Sequence, residues 1–131
     1  MRRIILFTGV SLVFILICSV ILIRVSINHG VKERIGISQE KYRGTPEDAL
    51  IAFLSDTTNT PRDRTDIAIW TLGQIQSQKA LPILKELYHN DPEGKTCHDR
   101  HDSVLCQYGI YKAIRAIESN WWLLSGSQPL Q

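Results

Sequence analysis

The densest group of reactive side chains in this 131-residue sequence lies between Cys97 and Cys106. The segment holds two thiols and two imidazoles, His98 and His101, together with carboxylates and an arginine. Side chains of these types can form a disulfide, bind a metal ion or pair a nucleophile with its base. Each chemistry implies a different role for the loop that carries them.

Three interpretations of this segment compete. The favoured one is a Cys97–Cys106 disulfide, which would pin the loop to the first turn of the next helix and suits an oxidising compartment. Its short closed loop limits the stabilisation to about 2–3 kcal/mol. The weaker alternative is a metal site of Cys97, His101 and Cys106, with His98 or His89 nearby, because the spacing differs from the usual paired ligands of zinc. Two free thiols on an exposed loop are the third interpretation.

A catalytic role is not expected for the same residues. Cys106 with His101 or His98 has the residue types of a nucleophile and a base, but such pairs usually meet across a fold. The sequence has no phosphate-binding glycine loop, no metal-binding helix pair and no nucleophile elbow. We therefore expect a protein that is not an enzyme and that uses no cofactor.

An uncharged run of twenty residues, 4–23, precedes this segment and ends at Arg24. As a helix it is about 30 Å long, which matches the hydrocarbon core of a bilayer. A cleaved secretory signal has a shorter apolar region and a small-x-small site, which the residues after Arg24 do not provide. The sequence thus predicts a retained transmembrane signal-anchor in residues 1–24, with residues 4–23 in the lipid bilayer. A buried core helix is less favoured, because a small domain would have to cover it on every side.

The basic residues around this run bear on its orientation. They are nearly balanced, with Arg2 and Arg3 before it and Arg24, Lys32 and Arg34 after it. The short basic head and the cysteines together favour a single-pass membrane protein with its C-terminal domain on the non-cytoplasmic side.

The charge balance bears on the partners that the domain can have. Without Arg2, Arg3 and Arg24 the chain holds 12 basic and 13 acidic side chains. This near-neutral balance gives no electrostatic reason to expect a nucleic acid as partner.

The rest of the chain divides into three parts. Residues 25–44 contain three glycines and scattered charges, which favours a flexible or partly extended tether. Residues 45–124 are long enough for one small domain. Residues 125–131 form a short tail.

Helix-start signals and apolar periodicity predict an all-α domain of about four helices. Thr45-Pro46 and Thr60-Pro61 each place a capping threonine before a proline at the first helical position. Apolar residues recurring every three or four positions then predict helices over about 46–55, 61–75, 79–89 and 103–119. Tyr108 is predicted to face inward in the last of them. No segment shows the strict alternation of a half-buried strand.

Several packing residues of this domain follow a repeat pattern. They are Ala68, Leu72-Gly73 and Ile75 in one helix, Ala80, Pro82, Leu84 and Leu87 in the next, and Asp91-Pro92-Glu93 in the turn that follows. Over roughly residues 47–119 the chain resembles a short, membrane-anchored member of the HEAT repeat family. Arg64 matches the family's arginine once, whereas Leu105-Cys106 occupies that place in the second instance. The resemblance implies an α-solenoid of stacked helical hairpins used for protein contacts.

Three tryptophans are candidates for binding a partner: Trp70, Trp121 and Trp122. The Trp121-Trp122-Leu123-Leu124 segment either covers the open end of the last helix, the favoured interpretation, or forms an interfacial anchor or a binding hot spot. The sequence predicts a membrane-anchored, non-enzymatic scaffold or adaptor for a protein partner at the membrane. A thiol-redox or metal-binding module built on the Cys97–Cys106 loop is the alternative.

Overall fold

The computed structural model describes residues 2–119, with side chains from Ser11 onward. Within these residues the chain forms helices and no strand, as the sequence predicted. The helices are α1 (Arg2–Lys41), α2 (Pro46–Ser55), α3 (61–74), α4 (Leu81–Leu87) and α5 (Gln107–Glu118). Helix α3 joins two α-helical segments, Pro61–Asp63 and Trp70–Gln74, through a π-helical stretch at Arg64–Ile69. A short 3-10 turn, Lys95–Cys97, precedes α5.

Over Ser11–Lys41, α1 is long enough, and contains a stretch apolar enough, to cross a membrane. The most apolar stretch of this helix has none of its residues buried against the rest of the structure. The core helix of a soluble protein would be mostly buried, so this exposure agrees with the membrane interpretation rather than with the core-helix alternative.

The second half of α1 differs from the tether predicted for residues 25–44. The chain stays helical to Lys41 and is not extended there. The reason is a stripe at helical spacing, in which Val31 packs against the core while Ile35 and Ser38 are buried. Packing of this stripe outweighs the cost of about 1 kcal/mol for each glycine inside a helix. How the whole chain divides into domains stays a prediction.

Both predicted helix caps are confirmed. The Thr45 hydroxyl accepts a hydrogen bond from the Asp48 N–H at 3.2 Å, and the Thr60 hydroxyl accepts one from the Asp63 N–H at 3.1 Å. Helices α4 and α5 are shorter than predicted. Residues 79–80 form a turn before α4, residues 88–89 lie outside the helix, and residues 103–106 belong to the end of the cysteine loop.

The core lies where α2, α3, α4 and α5 meet the end of α1. Its fully buried side chains include Leu50, Leu54, Ile69, Leu72, Leu84, Ile110 and Ile117. Helix α4 runs antiparallel to α5. The Gln78 side chain, before α4, donates to the Ile117 carbonyl oxygen near the end of α5, and the His89 N–H, after α4, donates to the Gln107 side chain at the start of α5.

Helices α3 and α5 lie side by side and run parallel. Thr65 accepts a hydrogen bond from the Cys106 N–H near their start, while Gly73 meets Ala113 farther along. A Cβ on Gly73 would lie 2.9 Å from the Ala113 Cα, so glycine is what allows the two helices to come this close. This pair of helices positions the candidate site.

Candidate functional site

The structure brings Cys97 and Cys106 together. Their sulfur atoms lie within bonding distance and their Cα atoms are 5.0 Å apart, inside the range that a disulfide spans. Cys97 is 2% exposed and Cys106 is 8% exposed. A pair so deeply buried is accessible to few reaction partners, so its geometry suits a structural bond better than thiol exchange.

Asp91 holds the turn that delivers Cys97 to its partner. One carboxylate oxygen accepts from the Thr96 N–H at 2.8 Å and from its hydroxyl at 2.7 Å, and the other accepts from the Lys95 N–H at 3.0 Å. These hydrogen bonds, those from Thr96 first, lower the pKa of Asp91 below its ordinary value. The carboxylate therefore stays charged and fixes the turn.

Gly94 begins the same turn in the left-handed region, with φ of 68°. A Cβ at this position would lie 2.8 Å from the Tyr108 Cβ and 3.2 Å from the Cys97 sulfur. Glycine therefore meets both the backbone conformation and the close approach that the cysteine pair requires.

His101 completes a three-residue group with the two cysteines. One ligand atom from each of Cys97, His101 and Cys106 lies within 4.8 Å of the other two. Thiolate sulfur and imidazole nitrogen suit Zn²⁺, but a structural zinc site needs four ligands. His98 is exposed and lies 3.4 Å from Asp99, outside this group. Because a disulfide uses both sulfurs, the group can hold either the bond or an ion.

A groove of about 580 Å³ runs between α3 and α5 beside this cluster. Its lining includes the small residues Gly73, Gly109, Ala113 and Ala116. Larger side chains also line it, and these are Asp66, Trp70, Tyr108, Tyr111, Lys112 and Arg115. His101 and Cys106 line it as well, so the groove and the cysteine loop share residues.

Trp70 is half-buried and touches both the groove and α1. The Arg34 guanidinium from α1 lies 4.3 Å from the centre of the indole ring. The same guanidinium donates to the Asp66 carbonyl oxygen at 2.9 Å. The sequence-predicted Trp70 is thus a groove residue, whereas Trp121 and Trp122 lie outside the described residues.

The groove carries positive charge on its α5 side. Lys112 lies 4.7 Å over the Tyr108 ring, and both Lys112 and Arg115 are exposed. Among the described residues neither of these two forms an ion pair, and Asp66 is the only carboxylate in the groove lining.

Sequence reasoning missed this face of α5. Tyr108 was predicted to point inward, and it is instead 46% exposed. The reason is that Gln107, Ile110 and Ile117 define the buried side of the helix. The spacing of Tyr108, Lys112 and Arg115 by four and three residues was the signal for a second, outward face.

Comparison of the chain with protein-family models, with curated proteins and with solved structures finds no match in any of the three. A function for this chain can therefore be inferred only from its own geometry.

Proposed function

We propose that this protein is a membrane-anchored, non-enzymatic adaptor that holds a protein partner in the α3–α5 groove, next to the bilayer. One observation carries the proposal. Helix α1 is continuous. Its most apolar stretch has no residue buried against the rest of the structure, and its second half packs on the core of the domain. A chain built this way fixes its domain to the membrane helix instead of letting it swing on a flexible linker.

The helix arrangement supports the adaptor role. Helix α4 follows α3 in the chain and runs antiparallel to α5, while α3 and α5 lie parallel and in contact, an order that stacked helical hairpins also have. Together with the resemblance noted above, this arrangement supports a short HEAT-like α-solenoid, in which grooves between neighbouring helices bind protein segments.

The groove lining specifies the kind of partner. Trp70 and Tyr108 offer aromatic surface, while Lys112 and Arg115 offer cations without an ion pair among the described residues. Aromatic and arginine side chains dominate the energetics of protein interfaces, and complementary charge directs the encounter. The partner is a membrane protein whose juxtamembrane segment carries acidic side chains between apolar ones.

The cysteine pair and the N-terminal layout support a domain on the non-cytoplasmic side. A buried Cys97–Cys106 bond persists in an oxidising space and is rare in the cytosol. The first 24 residues then act as a signal-anchor with their basic head inside.

Site-specific photo-crosslinking in native membranes tests the adaptor role. A crosslinking amino acid at Lys112 is compared with one at Glu86, which is exposed on α4 and lies outside the groove lining. We expect the Lys112 position to give one dominant adduct, whose cross-linked peptide is acidic and adjoins a transmembrane segment. Arg115→Glu should weaken this adduct several-fold and Arg115→Lys should preserve it. Equal adducts from both positions would contradict the proposal.

A metal-binding module is the second candidate, favoured by one observation. The ligand atoms of Cys97, His101 and Cys106 lie within 4.8 Å of one another. Elemental analysis of the chain, purified without reductant or chelator, tests it. A stoichiometric zinc content that is lost in His101→Ala would support this candidate. Metal-free protein with an intact disulfide would exclude the metal site and favour the adaptor role.

A further inference from the structure

Helix α3 runs antiparallel to α1 and leads back toward the apolar run. The Lys41 side chain donates to Asn59 just before α3 begins, and the Arg34 guanidinium donates to the Asp66 carbonyl oxygen farther along. Advancing along α3 is therefore a return along α1, away from Lys41. Because the apolar run lies at the other end of α1, the last turn of α3 is the part of that helix nearest the proposed bilayer.

The contact between Gly30 and Trp70 gives the distance of α3 from the apolar run. A Cβ on Gly30 would lie 3.7 Å from the Trp70 ring, so the two residues meet at one level. Gly30 is six residues beyond Arg24, or about 9 Å along the helix axis. Helix α3 then continues for one more turn toward the membrane, to Gln74. The headgroup layer is about 5–8 Å deep on each side of a bilayer, so α3 ends close to it.

Helix α5 ends beside the end of α3, because the two helices run parallel. Gly73 meets Ala113, and the Gln76 side chain, just past the end of α3, donates to the Ala116 carbonyl oxygen at 3.0 Å. Arg115 lies in the last turn of α5 and is exposed. Its long side chain can reach headgroup oxygens while the helix itself stays above them.

The charges of the groove are divided along this direction. Lys112 and Arg115 line its membrane-facing end, one helical turn apart, and the described part of the chain places no carboxylate within ion-pair distance of either. Asp66, the carboxylate of the lining, lies in the first half of α3, toward the opposite end. Glu118 is exposed near Arg115, but it pairs with Lys85 at 2.7 Å. The membrane-facing end of the groove is therefore positively charged.

We propose that Lys112 and Arg115 bind the phosphate of an anionic phospholipid headgroup in the leaflet nearest the domain. Arginine can form two parallel hydrogen bonds to a phosphate, and lysine adds a point charge. Two cations without a carboxylate partner favour a headgroup of net negative charge over a zwitterionic one. This proposal rests on the proposed function, since it requires α1 to span the membrane. The headgroup and the acidic side chains of a protein partner then compete for the same cations, so anionic lipid regulates the groove.

Native mass spectrometry of the full chain, extracted from vesicles of equal parts phosphatidylcholine and phosphatidylglycerol, tests the lipid site. We expect the chain to retain phosphatidylglycerol several-fold more than phosphatidylcholine. The variant with both Lys112→Gln and Arg115→Gln should lose most of this preference. The control variant, with both Arg62→Gln and Lys95→Gln, removes the same charge at the start of α3 and in the turn before α5, away from the membrane. It should keep the preference.

The outcomes separate the lipid site from the membrane anchor. Equal preference for phosphatidylglycerol in the two double variants, with both still floating with the vesicles, would overturn the lipid site and leave the α1 anchor and the adaptor role intact. Release of the lipid by millimolar inorganic phosphate would also overturn it, because a soluble phosphate would then be the ligand. Failure of the full chain to float with the vesicles would overturn both proposals.

Discussion

The Arg34 guanidinium stacks on the Trp70 indole at 4.3 Å, and this contact joins the membrane helix α1 to the groove helix α3. Arg34 also donates to the Asp66 carbonyl oxygen, so one side chain bonds to α3 in two ways. Because Trp70 lines the groove as well, the proposed partner would contact a residue that Arg34 of α1 holds in place.

We predict that Arg34→Ala destabilises the folded chain by about 1–2 kcal/mol, since it removes a cation–π contact and a hydrogen bond. A double-mutant cycle with Trp70→Leu, measured by denaturant unfolding in detergent, isolates the stacking contribution. Arg62→Ala is the control, because Arg62 pairs only with the exposed Asp102 and should change little. Strictly additive effects of Arg34→Ala and Trp70→Leu would contradict the coupling.

Two glycines should respond to alanine in opposite ways. Gly73→Ala places a methyl group 2.9 Å from the Ala113 Cα, so α3 and α5 must separate at a cost of about 1–3 kcal/mol. Gly36→Ala, in α1, meets no atom within 4 Å and should stabilise the chain by about 0.5–1 kcal/mol. Thermal unfolding of both variants measures the contrast. Equal shifts would show that α3 and α5 are not packed this closely.

Breaking the cysteine pair should loosen the loop that borders the groove. Replacing both Cys97 and Cys106 by serine should cost about 2–3 kcal/mol, because the cross-link restricts the unfolded chain. A reductant should lower the melting temperature of the parent by a similar amount and leave the double variant unchanged. The control is Cys18→Ser, since Cys18 lies in the apolar half of α1 without a disulfide. A parent that reductant does not affect would exclude the bond.

Stability should fall below about pH 4, in part because of Asp56. The Tyr42 hydroxyl donates to this carboxylate at 2.5 Å and the Thr58 N–H at 2.8 Å, and these bonds hold the pKa of Asp56 well below its usual range. A carboxyl whose pKa is lower in the folded state stabilises the fold above the unfolded value of about 3.9 and loses that contribution as the pH falls. In Asp56→Asn the free energy of unfolding should fall less steeply as the pH is lowered, which denaturant unfolding at a series of pH values measures. An unchanged pH dependence would show that Asp56 does not contribute.

Local signals were enough to predict the start of α2 and of α3. Thr45 and Thr60 cap their helices through atoms three residues away, so a short window of sequence contains the whole interaction. The helical second half of α1 was missed for the opposite reason. Its stripe of Val31, Ile35 and Ser38 is stabilised by α2 and α3, which a window around the glycines does not contain.

The candidate site was likewise predicted only in part. Cys97 and Cys106 are close in sequence, and the structure places their sulfurs together as the favoured interpretation expected. The bond itself stays a prediction. The groove was not predicted, because it exists only where α3, which carries Trp70, lies beside α5, which carries Tyr108 and is far away in the chain. In the sequence its small residues look like ordinary packing positions, because nothing near them shows that α3 and α5 lie side by side.

The proposed function requires that α1 crosses a bilayer and holds the domain against its outer surface. Cysteines introduced one at a time at Leu16, Asn28 and Arg43, in a Cys18→Ser background whose remaining cysteines are the buried Cys97–Cys106 pair, can be labelled in intact cells with a membrane-impermeant maleimide. The Cys18→Ser parent gives the background labelling. We predict rapid labelling at Asn28 and Arg43, and labelling at Leu16 only after the membrane is dissolved. A Leu16→Cys variant that labels in intact cells as fast as Arg43→Cys would contradict the claim.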